Sequence, residues 1–221
     1  MKSIVLASSR GIGKGIADEL EPISSEVIRT SSQDLDTSDI NNVKEFVSNN
    51  KETDVLVLNT AGPPAKDFYE ITEDEWLKYY NQLFYSFVYM LQNIKVRDGG
   101  YIFLLSSFNI KEPDPKLIMS NCYRLAFTSI LKSLTKDFAK RNVSCINIAP
   151  GPVDTDRLRN LVDDVYELGK TLPMGRVGST MEIGRFVKSI IENNIKYLTG
   201  VTINFIEWYS SGCFATSEPV T

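Results

Sequence analysis

Short apolar segments alternate with amphipathic helical patterns along the sequence, and this alternation constrains the fold more than any other feature. The run Val55–Leu58 is apolar throughout, which is typical of a strand buried on both faces of a parallel sheet. The pair Thr72/Glu75 matches the capping box that opens a helix. We therefore predict one α/β domain over residues 1–221, a Rossmann-type, doubly wound parallel sheet of about seven strands with helices on both faces. The clearest strand segments are 4–6, 27–28, 55–58, 102–105, 143–149 and 201–205.

The composition excludes several classes of site. The chain contains no histidine, which excludes Ser-His-Asp and Cys-His catalysis, histidine-ligated zinc and a histidine general base. Lys and Arg number 24 against 28 Asp and Glu. No basic excess is therefore available to neutralise a phosphate backbone, and we expect no nucleic-acid partner.

The sequence pattern also carries no membrane, secretion or metal signal. No apolar run approaches ~18 residues, and a strand-like segment begins at Ile4, so we expect neither a membrane span nor a signal peptide. Cys122, Cys145 and Cys213 form neither a metal-binding spacing nor a disulfide framework. We interpret them as small buried hydrophobes, predict no metal site and expect a cytoplasmic protein.

The segment Ala7–Gly15, directly after the first strand, is rich in glycine and serine. Small residues let the backbone approach a pyrophosphate, and the helix that follows directs the positive end of its dipole toward it. In parallel α/β sheets, ligands bind beyond the carboxyl ends of the strands, where this segment falls. The pattern predicts a dinucleotide site at this turn.

These motifs and their order resemble the short-chain dehydrogenase/reductase family. The family's opening Thr-Gly-x-x-x-Gly-x-Gly is matched by Leu6-Ala7 followed by Gly11 and Gly13, and the alanine fits if φ at Ala7 is negative. The resemblance covers essentially the whole chain and implies a nicotinamide cofactor. The markers that follow the opening motif are Asp34-Leu35, Asn59–Gly62, Asn81, Ser106-Ser107, Pro150–Thr155, Pro173–Gly178 and Leu198–Gly200.

The second strand bears on which nicotinamide cofactor is bound. An acid at the end of this strand usually binds the ribose of NAD, but the segment Val27–Ser32 contains none. Arg10 and Arg29 could instead face a 2′-phosphate, so we predict that the protein binds NADP(H) in preference to NAD(H). The alternative for Arg29 is a solvated surface charge. The predicted cofactor-binding residues are Ala7, Ser9, Arg10, Gly11, Ile12, Gly13, Arg29, Asp34, Asn59, Ala61, Gly62, Arg124, Pro150, Gly151, Val153 and Thr155.

The sequence departs from the family at the catalytic centre. The resemblance implies an Asn, a Ser and a Tyr-x-x-x-Lys motif, but the Tyr and Lys positions hold Ser120 and Arg124. An aliphatic hydroxyl is a far weaker acid than a phenol, and arginine is effectively always protonated. We predict that Ser107 donates to a carbonyl oxygen and that Arg124 supplies fixed positive charge near the ribose and a developing alkoxide. Asn81 and Ser120 complete the set of predicted catalytic residues.

Each of these residues also has a structural interpretation. Ser107 could be an inherited strand-end serine, Arg124 one half of an ion pair, and Asn81 a residue that holds backbone or water. Tyr123 could replace the missing acid, although its rotation away from Ser120 on the helix favours packing or a subunit interface.

Two functions follow from these observations. The first is an NADP-dependent oxidoreductase that interconverts a carbonyl and an alcohol on a small to medium substrate, with an atypical proton donor. The alternative is a catalytically silent NADP-binding protein that acts as a redox sensor or partner subunit, which the loss of Tyr and Lys favours.

Two further regions carry predictions about the substrate and partners. Apolar residues at helical spacing within Asp154–Lys170 form either a lid over a substrate or part of the core. The resemblance implies a homodimer or homotetramer through helices at 76–95 and 120–140. The segment Trp208–Gly212 stands where the family usually has Asp-Gly-Gly, which predicts a remodelled interface there.

Overall fold

The computed structural model describes residues 1–206. Six parallel strands form one sheet in the order β2-β1-β3-β4-β5-β6. The predicted doubly wound parallel sheet is confirmed, and the described residues contribute six strands where the sequence indicated about seven. The strands are β1 (Lys2–Val5), β2 (Glu26–Arg29), β3 (Glu52–Leu58), β4 (Lys95–Leu105), β5 (Ser144–Pro150) and β6 (Val201–Phe205).

Helices connect the strands and cover both faces of the sheet. The predicted capping box at Thr72 and Glu75 is present and opens the third helix. The helices are α1 (Gly11–Leu20), α2 (Ile40–Asn49), α3 (Glu73–Tyr80), α4 (Ser86–Asn93), α5 (Ile118–Ser133), α6 (Thr135–Ala139), α7 (Asp156–Arg159), α8 (Val165–Lys170) and α9 (Thr180–Glu192).

Each face of the sheet has its own apolar core, because successive strand side chains point to opposite faces. Ile4 of β1 and Leu6, directly after it, pack with α2, α4 and α5, whereas Val5 packs with α1 and α9. Helices α1 and α9 approach closely at two glycines, since a Cβ on Gly184 would lie 2.2 Å from the carbonyl oxygen of Gly15. In either core, full burial of one valine, leucine or isoleucine side chain stabilises the fold by roughly 1.5–3 kcal/mol.

The strand order sets the position of the ligand site. Strand β1 lies between β2 and β3, so the chain reverses its winding direction around β1. Such a reversal opens a crevice beyond the carboxyl ends of the strands, where ligands of open α/β sheets bind. The loops that follow β1, β3, β4 and β5 therefore meet at one edge of the sheet.

The long helix predicted after Thr72 contains an irregularity that the sequence pattern does not show. A π-helical turn at Asn81–Tyr85 joins α3 to α4. The Ser86 hydroxyl lies within hydrogen-bond distance of the carbonyl oxygens of Thr37 and Asn81, at 2.6 Å for Asn81. Because π turns recur at functional sites, this turn marks Asn81 independently of any motif.

The described cysteines differ in environment. Cys145 is buried in β5, as predicted, and burial raises the pKa of its thiol to about 12. Cys122 is exposed, so the prediction of a buried hydrophobe is wrong there, because its position on α5 faces away from the sheet. Cys213 and the segment Trp208–Gly212 lie outside the described residues. Within residues 1–206, no helix is both long and apolar enough to cross a membrane.

Candidate active site

The turn after β1 is strained at Ala7. Ala7 has a φ of +48°, in the left-handed region, so the condition under which an alanine fits here, a negative φ, is not met. The Ala7 N–H donates to Thr30 Oγ1 at 3.0 Å, and the Ser8 N–H donates to the Thr30 carbonyl oxygen at 2.7 Å. A left-handed conformation costs an L-residue roughly 1–2 kcal/mol, and these two bonds to the end of β2 hold the strained turn in place.

The start of α1 is open toward the predicted dinucleotide. No side chain in the described part of the chain caps this helix start, which leaves the N–H groups of its first turn for a ligand. A Cβ on Gly13 would lie 2.3 Å from the Ala7 carbonyl oxygen, so Gly13 permits close packing of α1 on the turn. Gly11 has a φ of +58°, and the nearest atom to a Cβ there is Thr155 Cγ2 at 3.6 Å. The turn therefore fits a bound diphosphate.

The residues around this turn differ in how freely they can reach a ligand. Ser9 is exposed and Ile12 is half-buried against the core. The Arg10 side chain is 77% exposed, and its guanidinium lies 3.8 Å from the Asp156 carboxylate. An exposed pair of this kind contributes little, so Arg10 can turn toward an anion at low cost.

The end of β2 holds the two other residues predicted near the adenosine. Arg29 pairs with Asp18 at 2.7 Å and with Glu21 at 2.9 Å. The Asp34 carboxylate accepts bonds from the Ser31 hydroxyl and N–H, which lower its pKa. Contact between Arg29 and a 2′-phosphate would require both of its ion pairs to break, so Arg10 is the stronger candidate.

The loop after β3 is tied to the neighbouring elements. The Asn59 amide nitrogen lies 3.4 Å from the carbonyl oxygens of Leu6 and Ala7, so it links β3 to the turn after β1. Gln82 Nε2 donates to the Ala61 carbonyl oxygen at 2.8 Å. Sequence reasoning missed Gln82, and its position directly after Asn81 was the only available signal. Through Gln82, the π turn is attached to this loop.

Arg124 occupies the centre of the site. Its Nη1 donates to the Leu105 carbonyl oxygen at 2.8 Å, and its Nη2 donates to the Thr60 carbonyl oxygen at 3.1 Å. Its Nε donates to Ser120 Oγ at 3.2 Å. The side chain is buried, and burial is the main cause that lowers the pKa of its guanidinium to about 10, followed by repulsion from Arg157. No carboxylate within residues 1–206 pairs with it, which argues against the ion-pair alternative.

Ser120 and Ser107 both lie near the end of β4. Ser120 is buried, and its oxygen accepts the bond from Arg124, so its own proton remains available for another acceptor. Ser107 is half-buried, two residues beyond the Leu105 carbonyl that Arg124 contacts. Its Oγ accepts a bond from the Asn109 N–H at 3.2 Å, which leaves its hydroxyl proton to donate elsewhere. The structure thus gathers three of the four predicted catalytic residues around one strand end.

Tyr123 faces away from this centre. Its hydroxyl donates to the Trp76 carbonyl oxygen at 3.0 Å, and its ring packs against the rings of Trp76 and Tyr80. Burial raises the pKa of the phenol, which makes it a poorer proton donor at neutral pH. These contacts favour the packing interpretation of Tyr123.

The segment after β5 lies over the glycine turn. The Gly151 N–H donates to the Phe205 carbonyl oxygen at 3.1 Å, and Val153 forms a bridge with Gly178. Thr155 caps α7 by accepting a bond from the Leu158 N–H at 3.2 Å. Of the predicted contacts in this segment, Thr155 comes close to the start of α1, where its Cγ2 would lie 3.6 Å from a Cβ on Gly11.

Arg157 is a site residue that sequence reasoning missed. Its Nη2 donates to the Pro63 carbonyl oxygen, and it would lie 3.3 Å from a Cβ on Gly62. Burial lowers the pKa of its guanidinium, and Tyr79 partly opposes this effect. The available signal was an arginine within the segment predicted as a lid or core. Of that segment, Leu158 is buried and Leu161 is exposed.

Comparison with known proteins supports the resemblance to the short-chain dehydrogenase/reductase family. Residues 34–205 match the family model described as enoyl-(acyl carrier protein) reductase. A 3-oxoacyl-[acyl-carrier-protein] reductase, FabG, from Chlamydia muridarum is 25% identical over 234 residues, which cover 91% of this chain and 94% of that protein.

Solved structures share the fold. A short chain dehydrogenase family protein from Francisella tularensis superposes with a TM-score of 0.79 at 20% identity, over 92% of this chain and 97% of that one. L-Sorbose reductase from Gluconobacter frateurii, solved with NADPH and L-sorbose, gives a TM-score of 0.79 at 18% identity, over 93% and 95%. With a family model that matches most of the sequence and a glycine turn, strand order and strand-end serine in the expected places, the chain belongs to the short-chain dehydrogenase/reductase family.

Proposed function

We propose that this protein is an NADP(H)-dependent oxidoreductase that interconverts a carbonyl and an alcohol on a small to medium substrate. The observation that carries the proposal is the buried Arg124 guanidinium, which joins the ends of β3 and β4 beside Ser120 and has no carboxylate partner within residues 1–206. A buried positive charge near a strand-end hydroxyl can stabilise the alkoxide that develops as a carbonyl is reduced.

The cofactor would occupy the crevice between the turn after β1 and the segment after β5. The N–H groups at Gly11–Gly13 would hold the diphosphate, and Arg10 would receive the 2′-phosphate. When bound, the nicotinamide supplies the hydride for reduction and accepts it for oxidation. NADPH in the L-sorbose reductase structure supports the choice of this cofactor.

The chain's own residues would deliver charge and protons. Ser107 donates its hydroxyl proton in a hydrogen bond to the carbonyl oxygen, and Arg124 stabilises the negative charge that forms there. Neither group titrates near neutral pH, so the proton that completes the alcohol comes from water by way of a serine hydroxyl. General acid help is worth roughly 10²–10⁴-fold, and we expect slower turnover than a Tyr-Lys pair would give.

The second candidate is a catalytically silent NADP-binding protein, a redox sensor or partner subunit. The observation that favours it is the bond from Arg124 Nε to Ser120 Oγ, which gives both residues a structural role. In this case, the dinucleotide would bind without turnover, and its redox state would alter a partner surface.

One experiment separates the two candidates. Fluorescence titration with NADPH and NADH comes first, followed by turnover on a panel of ketones, aldehydes, oxoacyl thioesters and an enoyl thioester. We expect tighter binding of NADPH and oxidation of NADPH by a carbonyl. Binding without turnover on the whole panel would favour the silent protein, and tighter binding of NADH would contradict the cofactor assignment.

We also propose a cytoplasmic homodimer or homotetramer. Apolar side chains stay exposed on α3, the π turn and α5, among them Leu77 at 57% and Leu125 at 51% exposure. The Tyr80 ring stacks on Tyr85 and packs against Tyr123, so side chains from these elements meet at the surface, and such apolar surface is characteristic of an interface. Light scattering should give two or four copies, and Leu125→Glu should shift the protein toward the monomer. A monomeric wild-type protein would contradict the proposal.

A further inference from the structure

Two guanidinium groups converge on one short loop of the candidate site. Arg124 donates to the carbonyl oxygen of Thr60, and Arg157 donates to that of Pro63. The two groups are close enough for their repulsion to lower the pKa of Arg124. They approach the loop from different elements, Arg124 from α5 and Arg157 from α7.

Within residues 1–206, these are the two arginines that form no ion pair with a carboxylate. The chain has nine arginines, all within the described residues 1–206, and seven of them pair with a carboxylate. Arg124 and Arg157, which lie together at the site, are the remaining two. Charges taken out of water are stable only when they are paired or well hydrogen-bonded. Arg124 meets this condition through its three hydrogen bonds. Within residues 1–206, Arg157 donates only to the Pro63 carbonyl oxygen, so its other N–H groups are available to an anionic ligand group.

Arg157 contacts a different loop from the one that is proposed to hold the phosphates of the cofactor. The proposed diphosphate lies at the start of α1, and the proposed 2′-phosphate lies near Arg10. Arg157 instead contacts Gly62 and Pro63 on the loop after β3 and lies close enough to Tyr79 of α3 for the two to interact electrostatically. Arg124 of α5 reaches the same loop at the Thr60 carbonyl oxygen.

We infer that the substrate carries a carboxylate near its reacting carbonyl, so that the protein acts on oxo acids and the corresponding hydroxy acids, with Arg157 as the specificity residue. This inference rests on the proposed function. A guanidinium binds a carboxylate through two parallel hydrogen bonds, which gives orientation as well as affinity. In the reaction, the carbonyl takes up a hydride and a proton to give the alcohol, and the carboxylate is unchanged.

The contact would also order the segment that follows. Arg157 lies in α7, at the start of the apolar segment that continues into α8. A carboxylate held by Arg157 would tie this segment to the loop after β3. The same contact would therefore recognise the substrate and close the site over it.

The test compares an oxo acid with its methyl ester, because the two differ in charge and little in shape. The probes are 2-oxooctanoate and 3-oxooctanoate, each with its methyl ester. Calorimetric binding is measured with and without saturating NADP⁺, and kcat/KM is measured with NADPH. We expect at least one acid to be preferred over its ester by about 10- to 100-fold.

Variants assign the preference to one side chain. Arg157→Met should bring the ratio of acid to ester close to one while it leaves the Kd for NADPH within about twofold. Arg157→Lys should restore part of the preference, since it keeps the charge but loses the two-pronged geometry. Arg159→Met is the matched control: Arg159 lies in the same helix, is exposed and pairs with Asp154 and Asp156, so its loss should leave the ratio unchanged.

The outcomes distinguish this inference from the proposed function. If NADPH does not bind, the proposed function fails, and the binding measured without cofactor still decides whether the arginine pair holds a carboxylate. Equal binding and turnover of acids and esters would overturn the inference while the oxidoreductase stands. Weaker NADPH binding by the Arg157→Met protein, with the ratio unchanged, would assign Arg157 to the cofactor and would also overturn it. The ratio for the wild-type protein needs no variant and so does not depend on how the variants fold.

Discussion

Replacement of Ala7 by glycine should stabilise the protein, because Ala7 is held at a φ of +48°. A left-handed conformation costs an L-residue roughly 1–2 kcal/mol, and glycine avoids this cost. Glycine also loses more conformational entropy on folding, which offsets about 0.5–1 kcal/mol of the gain. The expected net effect of Ala7→Gly is an increase of about 0.5–1 kcal/mol in the free energy of unfolding.

Chemical denaturation, monitored by tryptophan fluorescence, measures this change through the midpoint at constant slope. Two further variants set the scale. Ala126→Gly, at an exposed position within α5, should lower the free energy of unfolding by about 1 kcal/mol, because its backbone is helical. Ala7→Val should lower it further than that, since a β-branched residue tolerates a positive φ poorly. Equal destabilisation by Ala7→Gly and Ala126→Gly would show that Ala7 is not in the left-handed region.

Four other predictions concern the candidate site. Arg124→Met should lower kcat/KM for carbonyl reduction by about 10²–10³, since it removes the charge that faces the developing alkoxide; stopped-flow NADPH oxidation measures this, and a loss below tenfold would contradict it. Ser107→Ala should cost about 10² in kcat with little change in the Kd for NADPH, and unchanged turnover would remove Ser107 from the mechanism. The pH profile of kcat/KM should be flat from about pH 6 to 9, because no predicted catalytic group titrates there. Activity should then fall as the pH rises through the pKa of Arg124, which burial lowers to about 10. An ionisation near pH 7 in this profile would contradict the proposed catalytic groups. The double variant Ser120→Tyr/Arg124→Lys should gain less than about tenfold if Ser107 and water already deliver the proton, whereas a gain of about 10² would indicate an enzyme that has lost its proton donor.

The strands could be predicted because their sequence pattern has few alternative interpretations. The continuous apolar run at Val55–Leu58 suits a strand with a helix layer on each face, and it became the inner strand β3. The π turn at Asn81–Tyr85 could not be predicted, because a helix with one wider turn keeps nearly the same apolar spacing.

The backbone and charges of the site were harder to predict than its motifs. The glycine-like φ of Ala7 depends on bonds to Thr30, which lies in a different strand connection. Arg29 was predicted near a 2′-phosphate, but Asp18 and Glu21 lie within reach of it only once α1 packs beside β2. Local sequence did not reveal either neighbour.

Arg157 illustrates the same limit for function. Its sequence neighbours Asp156 and Arg159 are exposed and form ordinary surface ion pairs. Only the fold brings Arg157 against the loop after β3, beside the guanidinium of Arg124. A residue becomes part of a site through such tertiary contacts, and no motif marks it in advance.

The most direct test of the proposed function follows a single hydrogen atom. NADPH deuterated at C4 of the nicotinamide, in each of its two epimers, is incubated with the protein and a set of carbonyl compounds, and the products are analysed by mass spectrometry. We predict that one epimer transfers its deuterium to the carbinol carbon of an alcohol product, and that Ser107→Ala slows this transfer by about 10². Tight binding of NADPH without deuterium transfer to any carbonyl would contradict the proposed oxidoreductase.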